Sequence, residues 1–190
     1  MNGTRKLFAL AALSSMSLAA PSAWAQKDAA PDREGVSAGV LVGYGFDTAY
    51  HFGLGVRGGY TLSQKIYIGG TFVYHFGGSQ DVVGGTVSYH LLYLGPEGGY
   101  DLVIPSVPQL LIRPYLGLGY ESASASLSLP GIGSGSSVQG GSGFSFWPGV
   151  TGLYSFTPAI SGGLDARVVV VTFGGGDTAF VLSLTGQYKF

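Results

Sequence analysis

The chain has 190 residues, 34 of them glycine, with 10% charged residues against a usual ~25%, and a mean hydropathy of +0.34. At 46% hydrophobic and 13% aromatic it is too apolar for a disordered chain, and nine Lys+Arg against ten Asp+Glu make no basic field for nucleic acid. The glycines keep no three-residue period, which excludes collagen, and no run of 18 apolar residues exists to form a spanning helix, so a membrane-like composition stands without a membrane helix.

Residues 1–25 read as a cleaved signal peptide. Arg5 and Lys6 give a positive start, Leu7 to Leu13 an apolar stretch, and Ala23-Trp24-Ala25 a small-residue cleavage site before Gln26. Residues 26–34 are polar and read as a short exposed leader, and residues 35–190 as one domain. The chain holds no cysteine, which excludes a lipid-modified cysteine and a disulfide framework.

From residue 36 the pattern alternates with period two. Val36, Ala38, Val40, Val42, Tyr44 and Phe46 are apolar, and their odd-numbered neighbours are mostly Gly, Ser or Asp. Tyr50 to Leu62 repeats the rule, as does Phe180 to Phe190, and similar segments fall near 66–76, 86–102, 110–128, 143–156 and 160–173. Eight strands are predicted. The fourth is the least regular, because Val87, Tyr89, Leu91 and Tyr93 compete with the even-apolar rule, and a bulge is expected near 88–95. Connections at 47–49, 77–85, 130–142 and 174–178 are rich in Gly, Ser and Asp, whereas those at 62–65, 103–109 and 157–159 are short or marked by proline. That asymmetry is the one between outer loops and periplasmic turns of an outer-membrane barrel.

Face direction separates water from lipid. A soluble barrel keeps its apolar face inside. Here the even face is nearly continuous Val, Leu, Ile, Phe and Tyr, while the odd face carries glycines and most strand charges. An aliphatic and aromatic face exposed to water would aggregate, so it is assigned to lipid and the glycine-polar face to a narrow lumen. Tyr44, Phe46, Tyr50, Phe52, Tyr74, Phe76, Phe144, Phe146 and Phe180 form one aromatic girdle on the lipid face, and Tyr60, Tyr100, Tyr154, Phe156, Tyr188 and Phe190 the other.

By the same parity Arg57, Glu97, Arg113, Glu121, Asp165, Arg167 and Lys189 share the lumen. Confined charges are expected to pair, since an unpaired desolvated charge is costly. Tyr-His-Phe-Gly occurs at 50–53 and again at 74–77. A hairpin centred near residue 63 would set His51 opposite His75 as a lumen rim pair, close enough to share a metal or to titrate together. Two histidines are an incomplete site, and no metal or cofactor is expected. Gly53-Leu54-Gly55-Val56-Arg57-Gly58 matches G-x-G-x-x-G, but it continues a strand and leads into a turn, not a helix. Ser88, His90 and Glu97 are the nearest approach to a hydrolytic set, and an enzyme is not expected.

The chain closes Tyr188-Lys189-Phe190, with alternating apolar residues back to Phe180. This resembles the terminal-strand signal read by the bacterial barrel assembly machinery, with Tyr188 and Phe190 as its aromatic pair. The usual glycine five before the end is replaced by Thr185, and glycine follows at 186. The whole domain resembles a small eight-stranded outer-membrane barrel of the OmpA/OmpX type, of the porin-family group. The resemblance implies an all-β, antiparallel up-and-down transmembrane barrel whose lumen is largely plugged by an internal salt-bridge network. It also implies a monomer in contact with outer-membrane lipid and lipopolysaccharide, with extracellular loops and periplasmic termini. Three functions follow as expectations: a structural or surface-interaction barrel first, a narrow channel or transporter for small solutes second, and a lipid A-modifying enzyme third.

Overall fold

The computed structural model describes residues 33–47, 49–63, 65–82, 85–128, 136–172 and 176–190. The expected signal peptide, most of the leader and residues 130–135 of the long loop lie outside them. The described residues form ten antiparallel strands and no helix: β1 (Gly35–Gly45), β2 (Phe52–Leu62), β3 (Ile66–His75), β4 (Ser79–Val82), β5 (Gly85–Tyr100), β6 (Leu102–Ile104), β7 (Val107–Ser128), β8 (Ser136–Ser155), β9 (Ile160–Val171) and β10 (Asp177–Lys189).

Eight of these close a ring. β1, β2, β3 and β5 pair in turn, β5 pairs with β7, and β7 to β10 follow until β10 pairs with β1. β4 prolongs the β3 position along the upper end of β5, and β6 prolongs the β5 position along β7. Closure leaves no hydrogen-bonding edge within the ring, which backbone in lipid requires.

The stagger follows from the pairing. Partners run from Gly35 to Thr61, Tyr67, Gly99, Tyr115, Gly149, Arg167 and Val181, and return to β1 at Gly45, ten residues further on. Eight strands with a shear of ten tilt by about 40° from the barrel axis. On β1 the outward residues from Val36 to Phe46 then span roughly 25 Å along that axis, the height of the apolar band of an outer-membrane barrel.

The even-numbered face is the outside. Val40, Val56, Ile68, Leu116, Leu164 and Leu184 are exposed, and among the exposed large hydrophobics only Val103 and Val107 carry odd numbers. Odd residues fill the interior, where glycine makes room for large side chains. A Cβ at Gly117 would meet the Trp147 indole, one at Gly149 the Tyr115 phenol, and one at Gly53 the His75 ring. Each of these glycines is the direct cross-strand partner of the ring it accommodates.

Two expectations are corrected here. β5 has no bulge: it pairs with β3 from Leu91 to Tyr100 and with β7 from Thr86 onward without a slip. Its odd apolar residues Leu91 and Tyr93 are buried inside the barrel, so they reflect lumen packing, not a change of face. The slip lies opposite. His75 faces Leu91 and Ser79 faces Ser88, so four steps on one side match three on the other. Gly77 absorbs it with a left-handed φ of 56°. The Gly/Ser-rich connection is also shorter than 130–142, because β8 begins at Ser136 and pairs with the upper half of β7.

Candidate functional site

The lumen holds three stacked zones. At mid-height Arg57 of β2, Glu97 of β5 and Asp165 and Arg167 of β9 form a closed quartet. Arg57 Nε lies 2.7 Å from Glu97 Oε2 and its Nη1 2.9 Å from Asp165 Oδ2. Arg167 Nη2 lies 2.7 Å from Asp165 Oδ1 and its Nη1 3.7 Å from Glu97 Oε1. Each carboxylate thus bridges both guanidiniums, and the formal charges cancel. Neutral donors complete the acceptors. Trp147 Nε1 donates to Glu97 at 2.9 Å, Thr151 Oγ1 to Asp165 at 2.6 Å, and Tyr115 OH to both Asp165 oxygens at 3.0 Å. The Arg57 guanidinium also stands 4.6 Å over the Tyr115 ring. Burial of four charges is tolerable only with such mutual satisfaction.

Towards the chain-terminal end, Arg113 of β7 grips Asp101 in a fork, with Nε to Oδ1 at 2.5 Å and Nη2 to Oδ2 at 2.8 Å, and lies 3.9 Å over the Tyr67 ring. Asp101 occupies the break between β5 and β6, where its backbone N–H donates to Lys65 O at 2.6 Å. A cavity of about 50 Å³ opens beyond, lined in part by Arg33, Asp101, Arg113, Gln187 and Lys189. A cavity of about 10 Å³ lies between this pair and Arg57 of the quartet, room for about one water.

Towards the loop end the quartet is capped by apolar side chains. Leu41, Val73, Tyr93, Trp147, Val169 and Val181 are buried in one cluster. Above them Tyr50 OH donates to Glu121 Oε1 at 2.7 Å. Burial, reinforced by the Glu121 charge, holds the Tyr50 phenol far above its usual range, so it remains a donor at any physiological pH.

The seven lumen charges read from parity therefore separate. Arg57, Glu97, Asp165 and Arg167 meet. Arg113 joins Asp101, which the reading omitted although it is odd-numbered and lies within the predicted fourth strand. Glu121 makes no ion pair among the described residues and bonds to Tyr50, while Lys189 lines the terminal cavity. Tyr50 itself is a correction: assigned to the lipid girdle, it is buried. The hairpin tip between β1 and β2 folds inward over Gly45, whose Cβ would meet the Tyr50 side chain.

The His51–His75 rim pair is also corrected. The β2–β3 hairpin centres on residue 64, so His75 faces Gly53. His75 is buried, whereas the His51 ring stacks on exposed Tyr44 with centroids 5.4 Å apart. Their one contact is His75 Nδ1 with the His51 carbonyl at 3.2 Å. Ser88 and His90 sit on the even face of β5, and Glu97 is buried in the lumen on the other side of the wall. Tyr188 and Phe190 point outward with ring centroids 5.0 Å apart, and Phe190 N–H donates to Val36 O at 3.0 Å across the β10–β1 seam.

A ring with an apolar exterior and a charged interior over the whole domain is the signature of a particular family, and residues 8–190 match the outer membrane protein beta-barrel domain. The chain belongs to the outer-membrane β-barrel family. Among solved structures it is similar to Neisserial surface protein A, at 19% identity and a TM-score of 0.53, covering 82% of this chain and 96% of that one. A major outer membrane protein from Thermus thermophilus matches at 13% identity and a TM-score of 0.55, over 82% and 98%. Ail, the attachment invasion locus protein of Yersinia pestis, in complex with the heparin analogue sucrose octasulfate, matches at 15% identity and a TM-score of 0.50, over 83% and 97%. These likenesses concern the fold. No curated protein matches the chain in sequence. As a member of this family the protein is an outer-membrane β-barrel protein, and its even face is the exposed apolar one.

Proposed function

We propose that the protein is a structural and surface-presenting barrel whose lumen is closed to solutes. The loop end faces the exterior and both termini face the periplasm. The reading is carried by the quartet of Arg57, Glu97, Asp165 and Arg167. Its charges are consumed by one another, an apolar layer covers it on one side, and Arg113 and Asp101 cross the lumen on the other. An ion crossing this region would have to displace a guanidinium from two carboxylates. Planar-bilayer recording tests it: the refolded barrel should show no steady open level, and a stable large conductance would establish the channel reading instead.

The proposed partners are outer-membrane lipid, lipopolysaccharide and, during biogenesis, the barrel assembly machinery, with the protein a monomer. Deleting Phe190 should leave refolding into detergent nearly unchanged while sharply lowering the heat-modifiable folded band in cells. Equal losses in both settings would make Phe190 a packing residue and not a recognition signal. We assign no lipid A-modifying activity, since Ser88 and His90 are separated by the barrel wall from Glu97.

A further inference from the structure

The wall continues above the apolar belt, and there its outer face changes chemistry. On β7 the exposed Leu118 and Tyr120 are followed on the same side by Ser122, Ser124, Ser126 and Ser128. On β5 Leu94 and Leu92 give way to His90, Ser88 and Thr86. The register aligns these into rows across neighbouring strands. Ser126 faces Ser88, which faces Ser79, and Ser128 faces Thr86, which faces Asp81. Ser122 faces Ser142 of β8. Within the rows Ser79 and Ser88 hydroxyls lie 3.1 Å apart, and Thr86 Oγ1 donates to Asp81 Oδ1 at 2.8 Å. The result is an array of hydroxyls that both donate and accept, with the acceptor Asp81 at its edge, spaced by about 4.8 Å across strands and roughly 7 Å along them.

Two further observations define what fits it. At the foot of the array, where it meets the lipid belt, the His90 ring stacks on Tyr74 with centroids 6.1 Å apart, an aromatic platform facing sideways. And segments 46–52, 76–90, 121–144 and 172–179 contain no Lys or Arg, while they contain Asp47, Asp81 and Asp177 beside Glu121, which is buried in the lumen. A phosphate-bearing surface needs guanidinium or ammonium partners, and this end supplies only anions. Uncharged sugar rings need hydroxyl partners and aromatic planes, and this face supplies both.

We infer that the hydroxyl face of β4, β5, β7 and β8 docks the neutral sugars of the glycolipids surrounding the barrel in the outer leaflet. The face is the direct upward continuation of the lipid-contacting surface, so the molecules packed against Leu118 and Leu94 carry their polar parts against Ser122 to Ser128. The inference rests on the outward orientation of the loop end.

Amide hydrogen exchange on the full refolded chain tests it. The bilayers would be phosphatidylcholine alone, phosphatidylcholine with sugar-bearing lipopolysaccharide, phosphatidylcholine with lipid A only, and phosphatidylcholine with soluble core oligosaccharide. Exchange at 86–90 and 122–128 should slow by about fivefold with sugar-bearing lipopolysaccharide alone, survive EDTA, and revert in the Ser124→Ala, Ser126→Ala, Ser128→Ala triple variant. Equal slowing with lipid A, or reversal by EDTA, would overturn the inference in favour of phosphates bridged by divalent cations. Equal slowing with soluble oligosaccharide would make the face a receptor for free glycan. No slowing anywhere, or slowing unchanged in the triple variant, would remove it altogether. Labelling Ser126→Cys on intact cells with a membrane-impermeant maleimide separates the two levels: absence of label refutes the orientation, whereas label without sugar-dependent protection refutes this docking alone.

Discussion

At the residue scale the barrel is built from paired opposites, a large ring on one strand and a glycine on its neighbour. Gly117 opposite Trp147 is the clearest case, because a Cβ there would overlap the indole that donates to Glu97. Gly117→Ala should destabilise by about 1–3 kcal/mol through forced repacking, read as a lower urea midpoint in micelles. Gly98 is the contrast: nothing lies within 4 Å of a Cβ at this position on the lipid face. Gly98→Ala should therefore be neutral or stabilise by up to about 1 kcal/mol. Parity alone distinguishes these glycines in the sequence. It does not say which ring each one receives, since that depends on the partner strand. The same limit explains Asp101 and Tyr50. Asp101 obeys the odd rule but sits where the strand breaks. Tyr50 lies in a hairpin tip, where no period governs direction and the space over Gly45 decides.

At the element scale the long strands have two environments. β7 shows exposed apolar residues up to Tyr120 and outward serines from Ser122 to Ser128, still paired with β5 and β8. In phosphatidylcholine bilayers its amides beyond residue 121 should exchange at least about tenfold faster than those at 112–120, because only the lower part is shielded by lipid and a closed ring. Uniform protection along β7 would show the upper sheet to be as rigid as the barrel. Strand existence and number were legible from alternation, and facing too except on the fourth strand, where odd apolar residues compete with the rule. Register was not. A shift of the β2–β3 centre by one residue, from 63 to 64, moves the partner of His75 from His51 to Gly53. The sequence carries no mark of that step beyond the turn itself. The slip at Gly77 was placed on the wrong strand for a related reason. Apolar odd residues on β5 serve the lumen core, and an alternation rule that expects small or polar residues there reads them as a disturbance.

At the scale of the whole molecule the proposed closed lumen makes the quartet responsible for stability and permeability together. Asp165 receives Arg57, Arg167, Tyr115 and Thr151. Asp165→Asn leaves two buried guanidiniums to share Glu97, which should cost about 3–5 kcal/mol. It should also leave the lumen net positive, so planar-bilayer recordings of the variant should show brief anion-selective openings that the parent lacks. A silent variant with the stability loss intact would locate the seal in the apolar layer of Tyr93, Trp147 and Val169 instead. The fold and the outward turn of its apolar face could be read in advance because they depend on one repeated contrast. The partnership inside could not, because it joins residues as far apart as Arg57 and Asp165.

That distance bears on how the ring finds its own stagger. Parity tolerates a two-residue offset between neighbouring strands: every side chain would keep its face, and the lipid would not object. The charges would. Arg57, Glu97 and the Asp165–Arg167 pair come from three different strands and neutralise one another only when the shear of ten is correct. An offset cylinder would trap cations and carboxylates at mismatched heights, with several kcal/mol of uncompensated charge. The quartet thus acts as a proofreader of closure, marking one cylinder among several that hydrophobicity alone would accept.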